Sequence, residues 1–389
     1  MPAGGRRLPF DLAPALSMAG LVVVALVSFT LLGGSLPSIP GLGSDGPIRT
    51  PTPSNVVIVD PRADVPGSLL YVKEGNIWLQ NADHARQLTT SGQDAMPTWS
   101  PDGASIYFIH SVHEDGRWPS AGVTRTYRLV VPSLVRINAD GSGEPEVLLT
   151  GRLERGTNTW SYFIREPAIS PDGTTVAIVT DGPDPTAGDI VVKLLDLATG
   201  TLANPRFGQT QSLGHQDPAW SPDGMSLLYV RNAREGTRGT PAIYRHDLAT
   251  LKSTALTGPG YMDPAWSRDG RFVAATKTST FGTDVVVLDA QTGAELLRLT
   301  RDESSFSPVW SPKGDAIAFF RVQHGVVDLY LVPLGGTAPD WTPGEPLALT
   351  LSAGLEAGSR PAWFIPADQL PPLPTPTPVV SPGPSLGAQ

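Results

Sequence analysis

One phrase recurs through this chain: MPTWSPDG at residues 96–103, EPAISPDG at 166–173, DPAWSPDG at 217–224, DPAWSRDG at 263–270 and SPVWSPKG at 307–314. A shortened copy, RPAWFIP, stands at 360–366. The aromatic or Ile position falls at 99, 169, 220, 266, 310 and 363, so successive copies stand 44 to 70 residues apart. Units of this length cannot bury an apolar face alone and must pack on one another, as propeller blades or solenoid turns.

The runs between the phrases have strand character. SLLYV (226–230), AIYRHDL (242–248) and STALT (253–257) are short apolar or alternating runs separated by turn residues, and no helix-length amphipathic segment intervenes. Each unit therefore reads as a four-stranded antiparallel sheet. Within the phrase, Pro opens the innermost strand, Trp fills the space between blades, and Ser-Pro-Asp-Gly closes a tight turn in which Pro presets φ and Gly takes the left-handed position. This turn chemistry assigns structural roles to Trp99, Asp102, Gly103, Asp172, Gly173, Trp220, Asp223, Gly224, Trp266, Asp269, Gly270, Trp310, Gly314 and Trp363. Arg268 and Lys313 replace turn residues in two copies, which a catalytic set would not tolerate.

The ends of the array decide between ring and solenoid. Three strand-like runs, SLLYV (68–72), NIWLQ (76–80) and ARQLT (85–89), precede the first phrase without an inner partner, while residues 360–365 supply one inner strand with nothing after it. One strand plus three completes a sixth blade and removes the open edges that a solenoid would have to cap. The expected fold is all-β: a six-bladed β-propeller of four-stranded antiparallel blades, preceded by one transmembrane helix.

That helix is read from residues 21–32 (LVVVALVSFTLL), inside a stretch between Asp11 and Asp45 that carries no charge. With its apolar flanks it reaches the ~20 residues that span a bilayer. Arg6 and Arg7 precede it, which keeps the N-terminus cytoplasmic and sends the remainder across as a single-pass membrane protein. The competing reading is a cleaved signal peptide and a secreted domain. The organisation expected is an N-terminus and anchor over 1–37, a Pro/Gly/Ser linker over 38–55, the propeller over 56–366, and a Pro/Thr-rich tail over 367–389.

The x-P-x-W-S-P-D-G phrase with its downstream IY and LT strands resembles the WD-repeat-like propeller repeats of the TolB family, over residues 68–365. The resemblance implies a periplasmic or extracellular cell-envelope protein that binds other proteins, as TolB partners a peptidoglycan-associated lipoprotein. TolB also carries an α/β domain before its propeller, and here an anchor and linker occupy that place.

Composition narrows the chemistry. A net charge of −9, with no basic stripe interleaved with aromatics, argues against nucleic acid as partner. With no cysteine, disulfides, thiol catalysis and a lipid-modified N-terminal Cys are excluded. No G-x-S-x-G occurs, which sets aside a propeller oligopeptidase, and the Trp precedes the turn rather than coming after it as in sialidase Asp boxes. His110, His113, Glu114 and Asp115 lack a further ligand at recognisable spacing, and residues 138–144 and 181–189 lack the calcium-loop pattern. No metal, no cofactor and no catalytic set is expected.

The candidate site is instead a surface. Loops in an antiparallel blade alternate sides, so length variation gathers on one face, in 111–131, 152–163, 180–189 and 231–241. The long segment 335–345 is the exception and belongs to the opposite, uniform face. On the variable face Trp118, Trp160, Tyr162 and Phe163 are candidate binding aromatics, and Glu166, His215, Asp217, Asp263 and Arg360 should gather at the channel mouth. The leading expectation is a membrane-tethered protein- or ligand-binding scaffold of the envelope. Its alternatives are a channel-site hydrolase or lyase acting on a glycan or small molecule, and the sensory ectodomain of a membrane complex.

Overall fold

A computed structural model describes residues 60–183, 189–205, 214–232 and 241–373. The expected anchor, its linker and most of the Pro/Thr-rich tail lie outside these residues, as do parts of the 180–189 and 231–241 loops. No described helix is long and apolar enough to cross a membrane.

Six sheets succeed one another along the described chain. Blade one takes its outer strands from β1 (Ser68–Lys73), β2 (Asn76–Asn81) and β3 (His84–Gln87). Blade two comprises β4 (Asp94–Trp99), β5 (Ser105–Ser120), β6 (Val123–Asn138) and β7 (Glu146–Thr150), with an added hairpin of β8 (Arg152–Arg155) and β9 (Asn158–Ser161). Blade three is β10 (Arg165–Ile169), β11 (Thr175–Thr180), β12 (Val191–Asp196) and β13 (Leu202–Ala203). Blade four is β14 (His215–Trp220), β15 (Ser226–Arg231), β16 (Ala242–Asp247) and β17 (Lys252–Ala255). Blade five is β18 (Tyr261–Trp266), β19 (Phe272–Thr278), β20 (Thr283–Asp289) and β21 (Glu295–Arg298). Blade six is β22 (Ser305–Trp310), β23 (Ala316–Gln323), β24 (Val326–Thr337), β25 (Asp340–Pro343) and β26 (Leu347–Ala348).

The final strand, β27 (Ala362–Phe364), pairs with β1 in the register Leu70↔Ala362 and Ser68↔Phe364. The two ends of the array thus complete blade one, and the ring closes with six blades.

The core explains why the second strand of every blade is a continuous apolar run. In β1, Leu69 and Tyr71 pack toward blade six while Leu70 and Val72 pack toward blade two. In β15, Leu227 and Tyr229 face blade three while Leu228 and Val230 face blade five. In β23, Ile317 and Phe319 face blade five while Ala318 and Phe320 face blade one. A strand buried on both faces cannot alternate polar and apolar residues, so the run is uninterrupted. Six apolar clusters result, one at each blade interface.

The turn phrase behaves as its chemistry requires. The Ser100 hydroxyl donates to Asp102 Oδ1 at 2.6 Å, the Gly103 N–H donates to the Ser100 carbonyl at 2.9 Å, and Gly103 stands at φ +70°. Hydroxyl donation from Ser100, Ser170 and Ser221 holds the Asp102, Asp172 and Asp223 carboxyls below the usual range. Where Lys313 replaces the turn Asp, Ser311 donates to Asp315 at 2.7 Å instead, so the bond survives the substitution. The indole N–H of Trp220 donates to the Ala168 carbonyl and that of Trp266 to the Ala219 carbonyl, each reaching the preceding blade.

Three details differ from the sequence reading. In β4, β10, β14, β18 and β22 Pro sits inside the innermost strand and not at its start, because each of these strands begins two or three residues earlier and carries a bulge there, whereas Pro361 directly precedes β27. A bulge leaves a residue out of the ladder, which suits a residue with no N–H to give. Residues 111–131 are a long hairpin, paired without a break from Ser105↔Asn138 to Ser120↔Val123, and 152–163 holds the β8–β9 hairpin. Finally, 335–345 is the β24–β25 hairpin, whose Trp341 packs on Phe272 and Trp310.

Candidate functional site

The innermost strands converge on a central cavity of about 590 Å³. One end is walled by the residues that precede the phrase prolines: Met96, Glu166, Asp217, Asp263 and Ser307. All five hold positive φ, between 49° and 55°, although a side chain disfavours that region and an adjoining proline disfavours it further. Strain repeated this regularly has a structural return.

The return is a chain of bonds around the axis. The Met96 N–H donates to Ser359 Oγ at 3.1 Å, the Glu166 N–H to Met96 Sδ at 3.2 Å, and the Asp217 N–H to Glu166 Oε2 at 2.7 Å. The Asp263 N–H then donates to Asp217 Oδ2 at 3.2 Å, and the Ser307 N–H to Asp263 Oδ2 at 3.3 Å. From Glu166 onward each residue gives its backbone N–H to the side chain of its counterpart in the preceding blade, while Met96 gives its own to Ser359, the residue before Arg360. The left-handed conformation turns that N–H out of the sheet ladder and toward the neighbour.

Sequence reasoning brings Glu166, Asp217, Asp263 and Arg360 together at the mouth, and the structure does so. The Arg360 guanidinium stands 3.6 Å from Asp217 Oδ1 and reaches the Pro264 carbonyl. Burial pushes the Asp217 carboxyl up, to about 8, with Asp263 and Glu166 adding to the shift and Arg360 opposing it. Asp217 therefore holds a proton far more readily than a free carboxyl, beside a fixed cation. The carboxylates also serve as inter-blade acceptors, with Glu166 held by Arg165 at 2.8 Å and Asp263 by the Thr276 hydroxyl at 2.7 Å. The described cavity wall contains no histidine beside its hydroxyls.

His215 is not at the mouth. It is 4% exposed, packs on Tyr229 with ring centroids 4.7 Å apart, and accepts the Val192 N–H through Nδ1 at 3.3 Å. Burial, then the nearby Arg231, lowers its pKa to about 4, so it is a neutral core imidazole. Its strand neighbour Gln216 lines the cavity instead, as period-two geometry requires.

The variable-face aromatics separate into two groups. Trp118 and Trp160 lie 6.0 Å apart, Tyr127 meets Trp160 edge-on at 5.0 Å, and Arg155 covers Trp118. They form a small core for the extended hairpin and its β8–β9 companion, which meet at Arg117↔Thr159. Tyr162 is buried, with its hydroxyl donating to the Thr150 carbonyl at 2.6 Å, and Phe163 alone of the four is well exposed, at 53%. His110 bonds Asp94 at 2.7 Å and Glu114 pairs with Arg152 at 2.5 Å.

Met96 and Ser307 also wall the mouth, and the buried Ser359 stands behind it as an acceptor, although none of the three carries a titratable group that marks it in the sequence. Aligning the phrases on their prolines finds the first two.

A family model for the TolB beta propeller domain matches residues 145–345. No curated protein matches the chain. Among solved structures, TolB from Acinetobacter baumannii is 20% identical with a TM-score of 0.53, over 76% of this chain and 66% of that one. A putative TolB from Agrobacterium tumefaciens is 21% identical with a TM-score of 0.54, over 78% and 95% of the respective chains. A chain of a nidogen/laminin complex gives a TM-score of 0.52 at 11% identity, over 76% and 97%. The chain thus spans just under two thirds of the Acinetobacter protein, and at these identities the likeness is one of fold. With six blades closed by β27 and the family model matching 201 of 389 residues (145–345), the chain belongs to the TolB β-propeller domain family.

Proposed function

We propose that this chain is a membrane-tethered, extracytoplasmic binding module whose mouth face engages a protein or other ligand of the cell envelope. One observation carries the reading. The β5–β6 hairpin, two strands of 16 residues each, extends well past its blade on the face where Glu166, Asp217, Asp263 and Arg360 meet. A projecting arm beside a polar mouth, both held by a rigid ring, gives an anchor and a selective site on one surface. Arg117 and Arg125 are exposed along the arm, with Arg128 paired to Asp115, in a chain with net charge −9, so the arm suits an acidic partner surface. The apolar run at 21–32 supports the tether.

The test replaces residues 113–130 with Asn-Gly, which joins the paired Val112 and Val131 through a two-residue turn. Capture from solubilised membranes should lose a partner that the intact chain retains, while the ring still unfolds cooperatively. A partner retained by both this variant and Arg360→Ala overturns the reading. Protease added to intact cells or spheroplasts should cleave the propeller, and full protection counts against the topology.

A further inference from the structure

The face opposite the mouth carries a second cleft, of about 270 Å³, between the turn ends of blades five and six. Its walls are aromatic and charged: Asp269 is paired with Arg271 and Asp315 accepts from Ser311, beside Arg268 and Lys313. Trp341, delivered by the β24–β25 hairpin, lies 4.7 Å from Phe272 and 5.8 Å from Trp310. Trp310 is 5% exposed, and its indole N–H has no acceptor among the described residues. Arg268 and Lys313, the residues that break the repeat phrase, both line the cleft.

The chain's own C-terminal segment already enters it. After β27 and a 3₁₀ turn at Ala367–Gln369, Leu370 packs against the blade one and six core. Pro371, Pro372 and Leu373 then line the cleft, and Arg268 Nη1 donates to the Pro371 carbonyl at 2.6 Å. The sequence continues as PTPTP over 374–378, and no charged residue stands after Asp368. Ion pairing therefore cannot seat it. A polyproline II strand instead offers proline rings to stack on indoles and backbone carbonyls with no internal donors, which tryptophan and arginine N–H groups satisfy.

We propose that this cleft is a receptor for a proline-rich strand and that its occupant is the chain's own segment from Pro371 through the 374–378 repeat. The bound segment straps the closing strand across blade six to blade five.

The test places a photo-crosslinking p-benzoylphenylalanine at Thr375 of the full chain. Crosslinks should form within one molecule, to segments containing Trp310 and Lys313 or Ala338 and Trp341. Arg268→Ala should lower their yield at least threefold without unfolding the ring, and an excess of a peptide with the sequence of residues 372–382 should lower it similarly. Trp341→Ala should act in the same direction. Crosslinks to other blades, crosslinks between molecules, or a yield indifferent to both Arg268→Ala and the peptide would overturn the proposal.

Discussion

At the residue scale, the inner-strand carboxylates hold blades together before they do anything else. Asp217 shows the cost. Its carboxyl, pushed up to about 8, keeps a proton in the folded ring that the unfolded chain releases near pH 4. The folded state therefore binds more protons between those values, and this group's contribution to stability falls as pH rises from about 4 to about 8 and levels off above. Asp217→Asn keeps an acceptor for the Asp263 N–H and removes the titration. Its melting temperature should come closest to the parent's near pH 4 and exceed it by a margin that grows up to about pH 8, reaching roughly 5 °C or more. Parallel melting curves across that range would refute the assignment.

At the element scale, the arm depends on one close approach. Gly116 lies on β5 where a Cβ would stand 2.1 Å from Leu129 Cδ1 and 2.7 Å from the Thr159 carbonyl. The absent side chain lets β9 pair against the hairpin and lets Trp160 reach Trp118. Gly116→Val should split β9 from β5 and speed hydrogen exchange in β8, β9 and the distal hairpin by at least tenfold. The ring packs through other residues, so its melting temperature should move by less than about 3 °C, the shift roughly 1 kcal/mol produces in a domain this size. Unchanged exchange in the arm would show that the pairing carries no weight. The β24–β25 hairpin is the corresponding addition on the other face, and it too is positioned by an aromatic packed on a neighbouring blade.

At the scale of the whole molecule, closure rests on a three-residue strand and a tryptophan. β27 pairs with β1 through Ala362, Trp363 and Phe364, and Trp363 is 8% exposed with its indole N–H donating to the Pro66 carbonyl at 2.9 Å. Removing that side chain leaves a cavity at the junction of first and last blades, so Trp363→Ala should cost about 3–5 kcal/mol. Ending the chain at Gly358 should do worse, because it bares the edge of β1 and an inner edge invites aggregation. Denaturant titration of the variant and light scattering of the truncated chain measure the two effects. A truncated chain that stays monomeric with the parent's midpoint would show that the ring does not need its clasp.

Fold and closure were legible in the amino-acid sequence because they rest on local chemistry repeated six times. Pro, Asp and Gly set a turn wherever they fall in that order, and an apolar run between two such turns has to be a strand buried on both sides. Counting one inner strand at the end against three outer strands at the start then determined the closed ring. The mouth was legible in part: Glu166, Asp217, Asp263 and Arg360 share one place in the phrase, so the ring brings them together. His215 went astray because it precedes Asp217 by two in a strand that bulges at Asp217 and Pro218, and the bulge resets which side faces the axis. The positive-φ chain of inter-blade bonds and the packing of Trp118 on Trp160 had no local signature. So too the course of Pro371 to Arg268, 103 residues away in sequence. Those contacts join residues distant along the chain, and only tertiary structure decides which of the surfaces that local chemistry makes available are brought within bonding distance.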